Sequence, residues 1–134
     1  MTDTREFLDK FRDTVLALGG RRLVTPTDVI GGWRGFVEEC ETGYADNIYE
    51  FQNDLGVRNL IMKILDSPTL RNYSQMEWVR EEIGQVDARY RALLLEPEVR
   101  PGRPWWEARI PRLAGRELAE DFVTEYGVRV AIAE

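Results

Sequence analysis

The chain has 134 residues, 43% of them hydrophobic and 31% charged, with a formal net charge of −6. That length suits a single domain burying roughly two-thirds of the surface its unfolded chain exposes, without a metal or disulfide staple. There is no His, and Cys40 is the only Cys, which excludes Ser-His and Cys-His catalysis, most zinc sites, internal disulfides and metal–thiolate clusters.

The first turns mix acidic and basic residues, so they read as neither a signal peptide nor an anchor, and no apolar run approaches the length of a membrane span. A cytoplasmic protein with no membrane association is expected. The negative balance argues against nonspecific nucleic-acid binding by the domain as a whole, because neutralising phosphates needs a basic surface.

Helical spacing dominates the chain. Thr2, Asp3 and Thr4 are candidate N-caps for a helix over residues 4 to 18, with Leu8, Phe11, Val15 and Leu18 as its stripe and Gly19 and Gly20 as its stop. Thr25, Pro26 and Asp28 supply a cap, a first-turn proline and a first-turn acid for the next helix. Its stripe is Ile30, Trp33, Val37 and Cys40, and it ends near Gly43. Residues 44 to 66 follow as two helical pieces broken at Gly56, the first carrying Tyr44, Ile48, Phe51 and Leu55 on one face; Ser67 and Pro68 close them.

Ser74 and Glu77 have the spacing of a capping box, and Met76, Val79, Ile83, Val86, Tyr90 and Leu93 form a seam at steps of three and four. The stretch from Glu96 to Pro104, with three prolines and a glycine, reads as a loop. A last helix runs through Leu113, Leu118, Phe122 and Tyr126 to Gly127, and Val128 to Ile132 suits a short strand or docked tail. The expected fold is all-α: one bundle of five or six helices over residues 1–134.

Gly31, Gly32 and Gly35 lie inside the second helix, where each costs about 1 kcal/mol relative to Ala. No strand precedes them and no Lys-Ser/Thr follows, so close helix packing at Gly31 and Gly35 accounts for them better than a phosphate loop. Cys40 lies on the apolar stripe beside Glu38, Glu39 and Glu41, which makes it a packed structural thiol.

Charge is distributed unevenly. Between Gly35 and Val57 there is no Lys or Arg, whereas Glu38, Glu39, Glu41, Asp46, Glu50 and Asp54 are all acidic. Asp46, Glu50 and Asp54 recur every fourth residue, which would align them along one side of a helix. Like charges at that spacing repel, so stability alone does not recommend the arrangement; it suits a solvated helix face, a cation site, or, as the functional reading taken here, docking of a basic partner at Glu38, Glu41, Asp46, Glu50 and Asp54. Near the C-terminus, Trp105 and Trp106 stand among Arg100, Arg103, Arg109, Arg112 and Arg116. Trp105, Trp106, Arg109 and Arg112 are expected to form a secondary interaction patch, of a composition shared by interface hot spots and by single-strand nucleic-acid contacts. Its intramolecular reading has the indoles closing over the helices and the arginines pairing with Glu117, Glu120 and Asp121.

Glu38 and Glu41 resemble the first Glu-x-x-Glu pair of the all-helical nucleotide pyrophosphohydrolases, a likeness that implies a magnesium-dependent hydrolase using Glu38, Glu41, Glu50 and Asp54. The second pair departs from that pattern, because Asn53 follows Glu50 at the required spacing and Asp54 is one residue out of register. Separately, Trp33 to Arg58 with Asn53, Asp54 and Leu55, and Trp105 to Leu118 with Ile110, Pro111 and Gly115, are similar to a group of short bacterial proteins with no assigned activity. That likeness carries over no function.

The reading that the residues support first is a cofactor-free and metal-free interaction module rather than an enzyme. Inhibitors and immunity-type proteins that neutralise basic nucleases share its size and charge. Homodimerisation stays open as a second arrangement.

Overall fold

The computed structural model describes residues 4–134, so the candidate caps Thr2 and Asp3 lie outside the described residues. The fold is all-α apart from two strands of two residues each. Its elements are α1 (Thr4–Ala17), α2 (Pro26–Thr42), α3 (Ile48–Leu55), α4 (Val57–Leu65), α5 (Met76–Arg91), the single turn α6 (Trp105–Ala108), β1 (Leu113–Ala114), α7 (Arg116–Tyr126) and β2 (Ala131–Ile132). No helix among the described residues is long and apolar enough to cross a membrane.

The chain gathers into two compact units. One takes the described residues up to Arg34 together with Gly56–Val86, and the other takes Gly35–Leu55 and Asp87–Glu134. In the first unit α1 packs on α4, and the buried stripe of α1 is Phe7, Phe11 and Val15. The expected stripe was one position off at its start: Leu8 is 42% exposed, and Phe7 takes the inner position, its ring 5.6 Å from that of Tyr73. α2 starts as its sequence dictates, with the Thr25 hydroxyl accepting the Asp28 N–H at 3.1 Å. The α5 seam is buried at Met76, Val79, Ile83, Val86 and Tyr90.

The Ser74–Glu77 capping box does not form. The Glu77 N–H donates to the Ser74 carbonyl at 3.1 Å, and the Ser74 hydroxyl meets the Gln75 side chain instead. The close approach expected at Gly31 and Gly35 is also absent: a Cβ at either would meet open space. Gly32 is the crowded position, where a Cβ would lie 2.7 Å from Leu23 Cδ1.

In the second unit α3 packs on α7 around an aromatic cluster. The Phe36 ring lies 5.5 to 5.9 Å from Tyr44, Phe51 and Tyr90, and Phe51 meets Phe122 edge-on at 5.7 Å. The α5 helix ends at Arg91, before Leu93 and well before Pro97, because the chain goes extended there to pair with residues 110–112. The Leu95 N–H donates to the Ile110 carbonyl and the Arg112 N–H to the Leu93 carbonyl, both at 2.8 Å. Leu113 likewise belongs to β1 and not to the last helix, which starts after Gly115 and stops at Gly127 in the left-handed conformation (φ 65°). β2 pairs with β1 in parallel, Leu113 with Ala131 and Ala114 with Ile132, so part of the tail is a strand.

Candidate functional site

The acidic stretch is built by the second half of α2, a turn, and α3. α2 buries Phe36, Val37 and Cys40, and this periodicity leaves Glu38, Glu39 and Glu41 outside. Gly43 then reverses the chain with φ 99°, and the Ala133 methyl occupies the space a Cβ would need. Both constraints require glycine there. The turn is anchored by the Tyr44 carbonyl, which accepts the Gly115 N–H at 2.9 Å.

Asp46 is not on a helix, contrary to the four-residue spacing that aligned it with Glu50 and Asp54. Its carboxylate accepts the Asn47 N–H at 2.7 Å, the Asn47 side chain caps the Glu50 N–H at 2.9 Å, and Asp121 accepts the Ile48 N–H at 2.9 Å. Three side-chain acceptors thus take the amide of Asn47, just ahead of the helix, and those of Ile48 and Glu50 in its first turn, so α3 starts at Ile48. Tyr44, placed by its spacing on the same helix, is buried just ahead of it.

The six acids have different surroundings. Arg89 holds Glu41 with two hydrogen bonds, one of them Nε to Oε2 at 3.2 Å. The hydrogen bonds from Arg89 hold the Glu41 carboxyl below its ordinary range against the opposing effect of burial, and the positive charge of Arg89 adds to them. The Tyr44 hydroxyl donates to Asp54 Oδ2 at 2.6 Å. Burial, that hydrogen bond and the negative charges of Asp54, Glu39 and Asp46 push the Tyr44 phenol above its usual value. Cys40 is pushed up in the same way, by burial first and then by Glu39, Glu41 and Asp54; this is the packed, inert thiol its position implied. Glu38, Glu39, Asp46 and Glu50 are exposed, and among the described residues no ion pair takes them up. Glu39, Asp46 and Asp54 line a concavity of about 380 Å³ with Tyr44.

A metal site does not fit these residues. Glu41 is committed to Arg89 and Asp54 to Tyr44, and among the described residues no three Asp, Glu or Cys side chains are grouped to hold an ion. The magnesium-dependent arrangement implied by Glu38, Glu41, Glu50 and Asp54 is therefore not assembled.

Several side chains of the Trp and Arg segment make contacts within the fold. Trp106 is buried, Trp105 meets it edge-on at 5.6 Å, and the Arg91 guanidinium lies 3.7 Å from the Trp105 ring centre. The expected pairing of the arginines with Glu117, Glu120 and Asp121 does not occur. Arg109 donates to the Leu95 carbonyl, Arg112 to the Ala92 carbonyl at 2.6 Å, and Arg116 pairs with Glu134 at 2.6 Å. The Ala92 carbonyl, one residue past the end of α5, lies where helical partners run out and attracts the Arg112 cation. Arg89 is the functional neighbour that sequence reasoning missed; it lies 48 residues from Glu41, and no local pattern joins them.

No family model, no curated protein and no solved structure matches the chain.

Proposed function

We propose that the protein is a small interaction module that docks a basic protein through the acidic face of α2, the turn after it and α3. The observation that carries this reading is the exposure of Glu38, Glu39, Asp46 and Glu50 with no ion pair among the described residues, in a segment free of Lys and Arg from Gly35 to Val57. Mutual repulsion of these carboxylates is relieved when a cationic surface arrives, and the summed potential speeds its approach. Glu41 and Asp54 contribute less, since each already has a partner. The concavity edged by Glu39, Asp46 and Asp54 has room for a Lys or Arg side chain of the partner. An inhibitor of a basic enzyme is the kind of protein this describes.

The test uses an arginine-rich peptide as the probe. Its affinity is measured for the natural chain, for the variant Glu38→Gln, Glu39→Gln, Asp46→Asn, Glu50→Gln, and for a control neutralised at the exposed acids Asp66, Glu77, Glu81 and Glu98. Both variants lose four negative charges. Binding that weakens with salt and is lost in the first variant but kept in the control is expected; equal losses would reduce the effect to net charge and refute a defined face.

A further inference from the structure

The residues after α7 present a second surface, unrelated to the acidic face. The extended stretch 110–114, which ends in β1, lies between two other extended segments. On one side residues 93–95 pair with 110–112, and on the other β2 donates the Ala131 N–H to the Arg112 carbonyl and the Ala133 N–H to the Ala114 carbonyl, both at 2.8 Å. Successive residues of a strand point their amides to opposite sides, so Val130 and Ile132 turn their N–H and C=O groups away from β1. Among the described residues nothing hydrogen-bonds to them. β2 is thus an open edge.

Natural proteins usually shield such an edge with a charge, a proline, a bulge or a covering element. Here the edge sequence Val130-Ala131-Ile132-Ala133 contains none of the first two. A groove of about 220 Å³ runs beside it, lined by Arg129, Val130 and Ile132 from the strand side and by Ala119, Glu120 and Val123 from α7, with Val123 47% and Ile132 40% exposed. The ends of the strand carry opposite charges, Arg129 before it and Glu134 after it.

We infer that β2 is a dimerisation edge, at which a second copy of this chain adds its own β2 antiparallel to the first. The charge layout selects that occupant. A two-fold centred near Ile132 brings Arg129 of each chain, which has no ion pair among the described residues, to the end where the exposed Glu134 of the partner subunit lies; that carboxylate pairs with Arg116 of its own chain at 2.6 Å and has a second oxygen to share with Arg129, so the edge is complementary to itself. In that arrangement the outward groups of Ile132 pair with those of Ile132 of the partner subunit, as in an antiparallel ladder. The exposed Val123 and Ile132 side chains are covered at the same step, and the two open edges become a continuous sheet.

Sedimentation velocity from micromolar to millimolar concentration tests this. The natural chain is expected to double in mass as concentration rises. Ile132→Pro removes an outward N–H while leaving the bonds to β1 intact, and Arg129→Glu places like charges at each end; each is expected to raise the dimer dissociation constant at least tenfold, and Arg129→Glu combined with Glu134→Arg and Arg116→Glu, which keeps the pair between residues 116 and 134 with its charges exchanged, to restore it. A natural chain that stays monomeric, or a dimer that survives both single variants, overturns the proposal. Should Ile132→Pro perturb folding, hydrogen exchange of the Ile132 amide in the natural chain decides the matter. Protection that grows with concentration supports the edge, and exchange independent of concentration refutes it.

Discussion

Arg89 on α5 closes a two-bond ion pair with Glu41 on α2, and in doing so removes one of six carboxylates from an otherwise unbroken acidic surface. The pair joins two helices within the second unit and leaves Glu38 and Glu39 to face outward. Its value to stability is small, because both side chains remain more than a third exposed. Its effect on the surface potential is larger, since one arginine offsets one acid exactly where a cationic partner would dock.

Replacing Arg89 by Ala should therefore return the Glu41 carboxyl upward to the ordinary carboxylate range and strengthen binding of a cationic peptide. The Glu41 carboxyl ionises at lower pH in the folded chain than in the unfolded one, so the pair stabilises the fold at neutral pH. That contribution fades as pH falls through the lowered value. Carbon-detected NMR titration of Glu41 in both proteins measures the shift, and an unchanged titration curve in Arg89→Ala would contradict it.

Tyr44→Phe removes the hydrogen bond to Asp54 without creating a cavity, and should cost about 1 kcal/mol in urea unfolding. The phenol is held above its usual value, so its stabilisation is complete below the ordinary phenol range and is lost as pH rises through the raised value. Tyr90, fully buried, is pushed up by burial and then by Cys40. Tyr73 is raised as well, by burial and then by Glu6, to which its hydroxyl donates at 3.0 Å. Absorbance titration at alkaline pH should therefore find three phenols that ionise late in the natural chain, and one fewer in Tyr44→Phe.

The α2 glycines make a ranked prediction. Gly31→Ala and Gly35→Ala put a methyl into open space within a helix and should each raise stability by about 0.5 to 1 kcal/mol. Gly32→Ala must displace the Leu23 side chain and should gain less or lose. Thermal unfolding of the three variants checks the order; equal gains at all three would show that Leu23 does not crowd Gly32.

Arg112→Ala leaves the Ala92 carbonyl without its cation and should lower stability by about 1 kcal/mol. Because Arg109 and Arg112 are engaged by carbonyls and Arg91 covers Trp105, the chain should not bind single-stranded oligonucleotides. Fluorescence anisotropy at low salt reads this directly, and tight, salt-sensitive binding lost in Arg109→Ala would contradict it.

Local chemistry alone determined the helical class, the Thr25 start of α2, the break at Gly56, the stop at Gly127 and most of the α5 seam. These features depend on caps, glycine conformations and apolar spacing within a few residues, which a linear chain displays openly. The concentration of acid between Gly35 and Val57 was equally plain. Tertiary structure decided what each charge does. Asp46 leaves the helical series because Asn47 and Asp121 satisfy the first turn of α3, and Asp121 is 73 residues from the amide it accepts. Arg89 finds Glu41, and Arg112 finds a carbonyl instead of a nearby acid. Leu93 and Leu113 leave helical readings because strand pairing across the chain outweighs helix propensities worth a few tenths of a kcal/mol per residue. Partners so far apart in sequence meet only once the core has packed, and the spacing of neighbouring residues carries no record of them.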